Sequence, residues 1–198
     1  MGTRHLTCVF SDGKMCVAQY GQFDGYPDGA GHNICEFIQS NDVQAFRSKV
    51  EKVKQITEED LEEIHKKFSS NGWMSLRESN RFNEEYPEFH RNTGSDILKL
   101  IAEDKVHSVN LATDFAKDSL FCEYAYVVNL DTNVLEYYRG FQKEVHSRGR
   151  FASSIEDKDG YYPVKLVAEI SFEDIKEKGF AALEEVAKED ESEDESDE

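Results

Sequence analysis

The chain has 198 residues, of which 38% are hydrophobic and 12% aromatic, enough to bury one core and, by length, to form one domain. Its formal net charge is -18, and the final eleven residues, KEDESEDESDE, hold eight acidic side chains, which leaves about -11 on residues 1–187. A phosphate backbone is repelled by that balance, and Arg139, Lys143, Arg148 and Arg150 form only a short, diluted basic run, so no nucleic acid is expected as a partner.

Residues 5–10 and 15–20 read as two strands around Ser11-Asp12-Gly13-Lys14, a turn whose Gly13 supplies a positive φ. If Phe10 opposes Met15, then Leu6, Cys8, Phe10, Met15 and Val17 share one face, and Val9, Cys16 and Ala18 the other. Both faces carry apolar residues, which places this hairpin inside a sheet. Val43, Phe46, Val50 and Val53 then follow Asn41-Asp42 at helical spacing, and Leu61, Ile64 and Phe68 follow Thr57, whose partner Asp60 completes a capping-box pattern. Residues 69–72 stop that helix. Between Gly72 and Asn92, Trp73, Phe82, Tyr86 and Phe89 are apolar anchors among charges, which predicts short helices and loops wrapping the core. Another helix starts at Thr93 and carries Ile97, Leu98 and Ile101.

The second half is rich in β-branched and aromatic residues over 106–112, 120–129, 134–138 and 164–170, with a turn at 130–133. A final helix is framed by Ser171 and Asp174 and runs into the acidic tail. The expectation is an α+β fold, a mostly antiparallel sheet of about six strands covered by helices on one side. Residues 1–187 form its single domain, and residues 188–198, which lack apolar side chains, form a disordered tail in which Ser192 is a candidate phosphorylation site.

No apolar signal segment opens the chain and no run of eighteen apolar residues exists, so the sequence predicts a cytoplasmic protein with no membrane partner and four reduced cysteines, Cys8, Cys16, Cys35 and Cys122. Met1-Gly2 opens like a myristoylation signal, but Leu6 stands where that signal needs Ser or Thr. The pattern of charges and turn residues instead points to the loop spanning residues 19–32. It leaves an interior strand with a dense set of hydrogen-bonding side chains and glycines that let backbone approach a ligand, and it ends at a helix N-terminus. Arg4, Gln19, Gln22, Asp24, Tyr26 and His32 are the candidate ligand-binding residues. Asn33 lies beside them. The competing reading is a structural loop whose Asp and Gln groups cap turns.

The same stretch, MGTRHLTCVFSDGKMCVAQYGQFDGYPDGAG, resembles the opening of a family of uncharacterised bacterial, phage and fungal proteins that begin with MGTR and carry a VAQYGQWDGYP segment. PEFHRNTG at 87–94, SLFCEYAYVVNLD at 119–131 and YYPVKL at 161–166 extend the resemblance over most of residues 1–170. Phe23 stands where that family has Trp, which keeps an aromatic ring and loses an N–H donor. The resemblance implies no activity, and it draws attention to the loop.

Catalytic sets are sparse. A free N-terminal amine paired with Thr3 or Cys8 as nucleophile would need processing beyond Gly2, and Cys122 sits in an apolar strand where a thiol packs. The six histidines show no HExxH and the cysteines no paired CxxC, His32 and Cys35 offer two of the four ligands of a structural zinc, and Asp24, Asp28 and Glu123 could gather round a hard cation without any spacing that requires it. GxGxxG and the P-loop pattern are absent, so no cofactor is expected. The sequence therefore predicts a binding protein for a small polar ligand or a protein partner, with a small hydrolase using Asp24 and Glu123, or a processed N-terminus, as the alternative.

Overall fold

The computed structural model describes residues 2–69, 72–106, 108–152 and 159–194. Strands β1 (His5–Ser11), β2 (Lys14–Gly21), β5 (Tyr124–Asn129), β6 (Val134–Arg139) and β7 (Lys165–Ser171) form one sheet in the order β2-β1-β5-β6-β7. All neighbours are antiparallel except β1 and β5, which run parallel. The chain between β2 and β5 forms α1 (His32–Ser40), α2 (Val43–Val50), β3 (Lys54–Gln55), α3 (Glu58–Phe68), α4 (Leu76–Glu85), α5 (Ile97–Ala102) and β4 (Ser108–Val109); α6 (Phe172–Lys178) and α7 (Ala181–Asp194) follow β7. The fold is α+β. No helix among the described residues is long and apolar enough to cross a membrane.

The first hairpin turns through Asp12 at φ 53° and Gly13 at φ 72°, the paired positive values of a two-residue turn matched to strand twist. The Asp131 carboxylate, on the β5–β6 turn, accepts both of their N–H groups at 2.9 Å and faces Arg47 of α2 at 3.2 Å. Those N–H donors, with Arg47, hold the Asp131 carboxyl below its usual range. Three separate elements are thus pinned at one end of the sheet.

Phe10 does oppose Met15, but Val9 opposes Val17, so Cys16 is an extra residue on β2. This bulge reverses the expected facing beyond it. Cys16 and Val17 both turn to the face of Val9, and Ala18 joins Leu6 and Cys8 on the other.

On the first face, Val9, Val17, Tyr126, Val128, Leu135 and Tyr137 pack against Ile34 and Ile38 of α1, Phe46 of α2, Leu98 of α5, Ile175 of α6 and Leu183 of α7. Asp42 caps α2 by accepting from the N–H groups of Gln44 and Ala45, Thr57 and Asp60 form the reciprocal box that starts α3, and Ser75 with Glu78 repeats it for α4. The other face buries Leu6, Cys8, Ala18, Cys122, Ala125, Val127 and Tyr138 beneath Ala116 and Val164, which lie in short turns and irregular chain.

The sixth strand expected from 106–112 does not join this sheet. Among its described residues, Ser108–Val109 alone extends, pairing with Lys54–Gln55 as a separate two-stranded sheet, and Ala112 sends one N–H to Ala18. The strand expected from 120 begins at Tyr124, because the N–H groups of Phe121 and Cys122 both turn back onto the Asp118 carbonyl. Phe82, Tyr86 and Phe89 gather with Phe68 in an aromatic cluster of α3, α4 and the turn that follows α4, whereas Trp73, expected to anchor that region, is 86% exposed.

One carboxylate is buried in the second face. Glu136 is 2% exposed and accepts from Arg150 Nε at 2.8 Å, Tyr138 Oη at 2.6 Å and Asn129 Nδ2 at 2.8 Å, while the Arg150 guanidinium lies 3.9 Å from the Phe10 ring centre. Burial pushes the Glu136 carboxyl up, but these donors outweigh it and leave it lowered. Arg150→Ala should therefore cost about 3 kcal/mol in urea melts, because it strands a buried charge, and Glu136→Leu with Arg150→Met should recover at least half of that. Equal losses in both variants would show that packing, and not the charge, dominates.

Residues 188–194 of the acidic segment continue α7, so the boundary drawn at 187 falls within a helix. Ser192 lies in its last turns with its Oγ donating to the Glu189 carbonyl at 2.7 Å, and residues 195–198 lie outside the described residues. Asp190 reaches Arg139 at 3.3 Å, each side chain about 21% exposed. Truncation after Ala187 removes that pair, and should lower stability by about 1 kcal/mol, or about 3 °C in a melting scan. An unchanged Tm would mean that the last turns of α7 add nothing.

Candidate functional site

Because β1 and β5 run parallel, the starts of both strands, the end of β2 and the end of β6 lie at one end of the sheet: His5 pairs with Gly21 and with Tyr124, and Tyr124 with Arg139. The loop after β2 is built over this end. Its backbone is tied down at five points: Gln22 N–H to Arg91 O at 3.0 Å, Gly25 N–H to Thr3 O at 3.0 Å, Ala30 N–H to Asp24 O at 2.7 Å, Gly29 N–H to Tyr26 O at 3.0 Å, and Tyr126 Oη to Gly25 O at 2.9 Å. Pro27–Gly31 forms a π-helical turn that leads into α1.

Underneath sits His5, 3% exposed. A methyl group on Gly21 would collide with its imidazole, one on Gly94 would lie 2.7 Å from Nε2, and one on Gly25 would lie 2.8 Å from its Cβ, so three glycines from different segments make room for one ring. Neither ring nitrogen makes a well-formed hydrogen bond among the described residues, and the Phe23 backbone offers the ring only a weak polar contact. Burial lowers the His5 pKa to about 4, opposed weakly by the Phe23 backbone. Gly25 does not have a positive φ; its constraint is the close approach of Thr3 and His5. The left-handed residue of the loop is Asp24, at φ 53°.

The six candidate residues fall into two groups. Gln19 Nε2 donates to Tyr20 O at 3.2 Å, Gln22 Oε1 accepts from Tyr20 Oη at 2.6 Å, and Asp24 is exposed and works through its carbonyl. Arg4 exchanges backbone contacts with Glu123, its N–H donating to the carboxylate at 3.2 Å, and lays its guanidinium 4.5 Å from the Phe121 ring centre. Those four hold the loop and its neighbours together. Tyr26 and His32 instead lie beside α7: the exposed His32 ring is 5.0 Å from Phe180, and Tyr26, 51% exposed, stands 5.9 Å from Tyr124.

Between the π-helical turn and α7 is a cavity of about 260 Å³, lined by Tyr26, Pro27, Asp28, Phe180, Glu184, Ala187 and Lys188. Lys188 pairs with Glu184 at 2.8 Å, while the exposed Asp28 carboxylate has no partner among the described residues. Two aromatic rings and one uncompensated carboxylate are the recognition elements of an organic cation. Phe180, Glu184 and Lys188 were missed in the sequence because α7 reaches the loop across more than 150 residues, and nothing in AALEEVAKED marks one turn of it. A larger cavity of about 560 Å³ lies elsewhere, lined by residues that include Pro87, His90, Thr93, Lys99 and Glu103.

The catalytic candidates are not assembled. All four cysteines are buried and free; burial raises every thiol, Cys35 to about 12 and Cys8, Cys16 and Cys122 also upward. Thr3 is buried. Among the described residues no three His, Cys, Asp or Glu side chains come together as metal ligands, so Asp24, Asp28 and Glu123 do not form the cation site considered above. Compared with protein-family models, with curated proteins and with solved structures, the chain matches none.

Two outcomes test how the loop is held. His5 stays neutral in the fold down to about pH 4 but takes up a proton near pH 6.5 when unfolded, so the unfolded state binds more protons between those values and stability falls as pH falls. The loss should reach about 3 kcal/mol between pH 6.5 and 4 in urea melts and be absent in His5→Phe; a parallel pH slope in both proteins would refute it. Asp24→Asn, which tolerates a positive φ, should stay within about 0.5 kcal/mol of the parent, whereas Asp24→Val should lose about 1–2 kcal/mol. If Asp24→Asn melts several degrees lower, the carboxylate itself is structural.

Proposed function

We propose that the chain is a non-catalytic binding protein, and that the cleft between Tyr26–Asp28 and α7 receives the positively charged group of a small polar ligand or of a protein partner. The observation that carries this reading is the unpaired Asp28 carboxylate beside the Tyr26 and Phe180 rings, on a loop whose backbone is fixed from β1, β5 and the 90–94 segment. At about 260 Å³ the cleft is smaller than the range of about 300–1,000 Å³ that suits a drug-sized ligand, which favours one side-chain-sized cationic group. The surrounding excess of acid, -18 over the chain, favours cations at longer range.

The hydrolase reading stands second. It requires a nucleophile with a base in reach, and the buried thiols, buried Thr3 and buried His5 offer no such pair to a substrate.

The test is a titration of the protein with n-butylammonium, with butyrate as the control, followed by NMR shifts of the Tyr26–Gly31 amides. Butylammonium should bind in the millimolar range and butyrate should not, and Asp28→Asn should weaken the ammonium at least tenfold with an unchanged melting curve. Equal shifts from amine and acid, or no effect of Asp28→Asn, would sink the proposal.

A further inference from the structure

The α3–α4 hairpin carries a surface that the cleft does not use. At its tip, Trp73 is 86% and Leu76 80% exposed, and Leu76 borders a groove of about 490 Å³ shared with Arg77, Asn80, Arg81 and Glu84. Residues 65–81 hold four cations, Lys66, Lys67, Arg77 and Arg81, against one acid, Glu78, whose carboxylate is occupied in capping α4. Lys66 has only an exposed partner, Glu62, at 3.8 Å. In a chain of net charge -18 this tip is a positive island with an indole at its head. Trp and Arg are the residues that dominate binding energy at protein interfaces.

The complementary surface is present in the same molecule. The cleft is lined by rings and by the unpaired Asp28, with the Glu184–Lys188 pair on its α7 wall and Glu185 and Glu189 exposed on the same helix. The α7 wall of the cleft packs on β7 and its other wall is the loop that leaves β2, whereas α4 is carried through the 87–89 turn on β4. In its own molecule Trp73 is exposed and lines no part of this cleft, so a cleft that the tip fills belongs to another copy.

We propose that the Trp73–Arg81 tip of one copy docks into the Tyr26–α7 cleft of a second copy, with Trp73 against the Tyr26 and Phe180 rings and Arg77 and Arg81 facing Asp28 and the acidic surface of α7. This rests on the reading of the cleft as a cation-recognising site. The contact is head to tail, using two different patches, so it builds open chains of copies unless the rotation between them closes a ring. Its charge pairs lie at an exposed rim, which makes it weak and sensitive to salt.

Trp73 is the only tryptophan of the chain, so its fluorescence reports on the tip alone. The experiment is sedimentation velocity together with Trp emission on the full chain, from micromolar to millimolar concentration, at low and high salt. The weight-average mass should rise with concentration, Trp73 emission should move to shorter wavelength in step with it, and high salt should reverse both. Arg77→Glu with Arg81→Glu, and separately Asp28→Lys with Glu189→Lys, should each weaken association at least tenfold while the far-UV circular dichroism spectrum stays that of the parent, and mixing the two charge-reversed proteins should restore it. A protein that stays monomeric throughout overturns the proposal, and if butylammonium still binds in an Asp28-dependent way the cleft reading survives alone. Association that ignores the Asp28 and Glu189 reversals also overturns it, as does a Trp73 shift seen only with phosphatidylserine vesicles.

Discussion

The parallel pairing of β1 with β5 is the constraint on which the rest of this structure depends. Two antiparallel strands need only a tight turn between them, as Asp12 and Gly13 provide for β1 and β2. A strand that runs beside β1 in the same direction must start at the end where β2 finishes but on the other side of β1, so the chain has to cross over β1 and come back to the same end. Residues 22–123 make that crossover, and α1, α2 and α5 use it to cover the first face. The starts of β1 and β5 then lie side by side, and every segment that enters or leaves at that end must be packed there.

That crowding explains the polar sequence from 19 to 32. Its donors and acceptors are spent mostly on the backbone of the loop and its neighbours, because a chain segment folded over buried strands must satisfy its own N–H and C=O groups. The Tyr126 hydroxyl reaching the Gly25 carbonyl from inside the core, and His5 filling the space left by Gly21, Gly25 and Gly94, fix the loop against the sheet. Once the backbone is held in this way, the residues on its outer side, Tyr26 and Asp28, can be presented to α7 with little freedom to lose on binding.

Local chemistry was legible in the sequence; long-range placement was not. The Thr57–Asp60 box, the Asn41-Asp42 start and the Ser171 cap each depend on residues three or four apart, and each occurs where its pattern put it. The bulge at Cys16 was not legible, because an alternating pattern with apolar residues on both faces reads equally well one residue out of step. The same ambiguity made 106–112 look like a sixth strand, although among its described residues Ser108 and Val109 alone form strand, paired with β3. Arg4, Gln19, Gln22 and Asp24 were selected for their polarity, and the contacts the fold gives them are with the loop itself and its neighbours. Tyr26 and His32, chosen on the same grounds, adjoin the cleft only because α7 returns to that end of the sheet.

The distribution of charge adds a separate argument about specificity. A net charge of -18 spread evenly would keep copies of this protein apart at every orientation. Gathering Lys66, Lys67, Arg77 and Arg81 at one hairpin tip, away from the acidic helix α7, leaves one orientation of approach that is attractive while the others repel. Repulsion elsewhere does the work of excluding wrong contacts, so the attractive patch can be small. Trp73 and Leu76 supply the apolar area there, and the charges around them keep the tips of two copies from meeting each other.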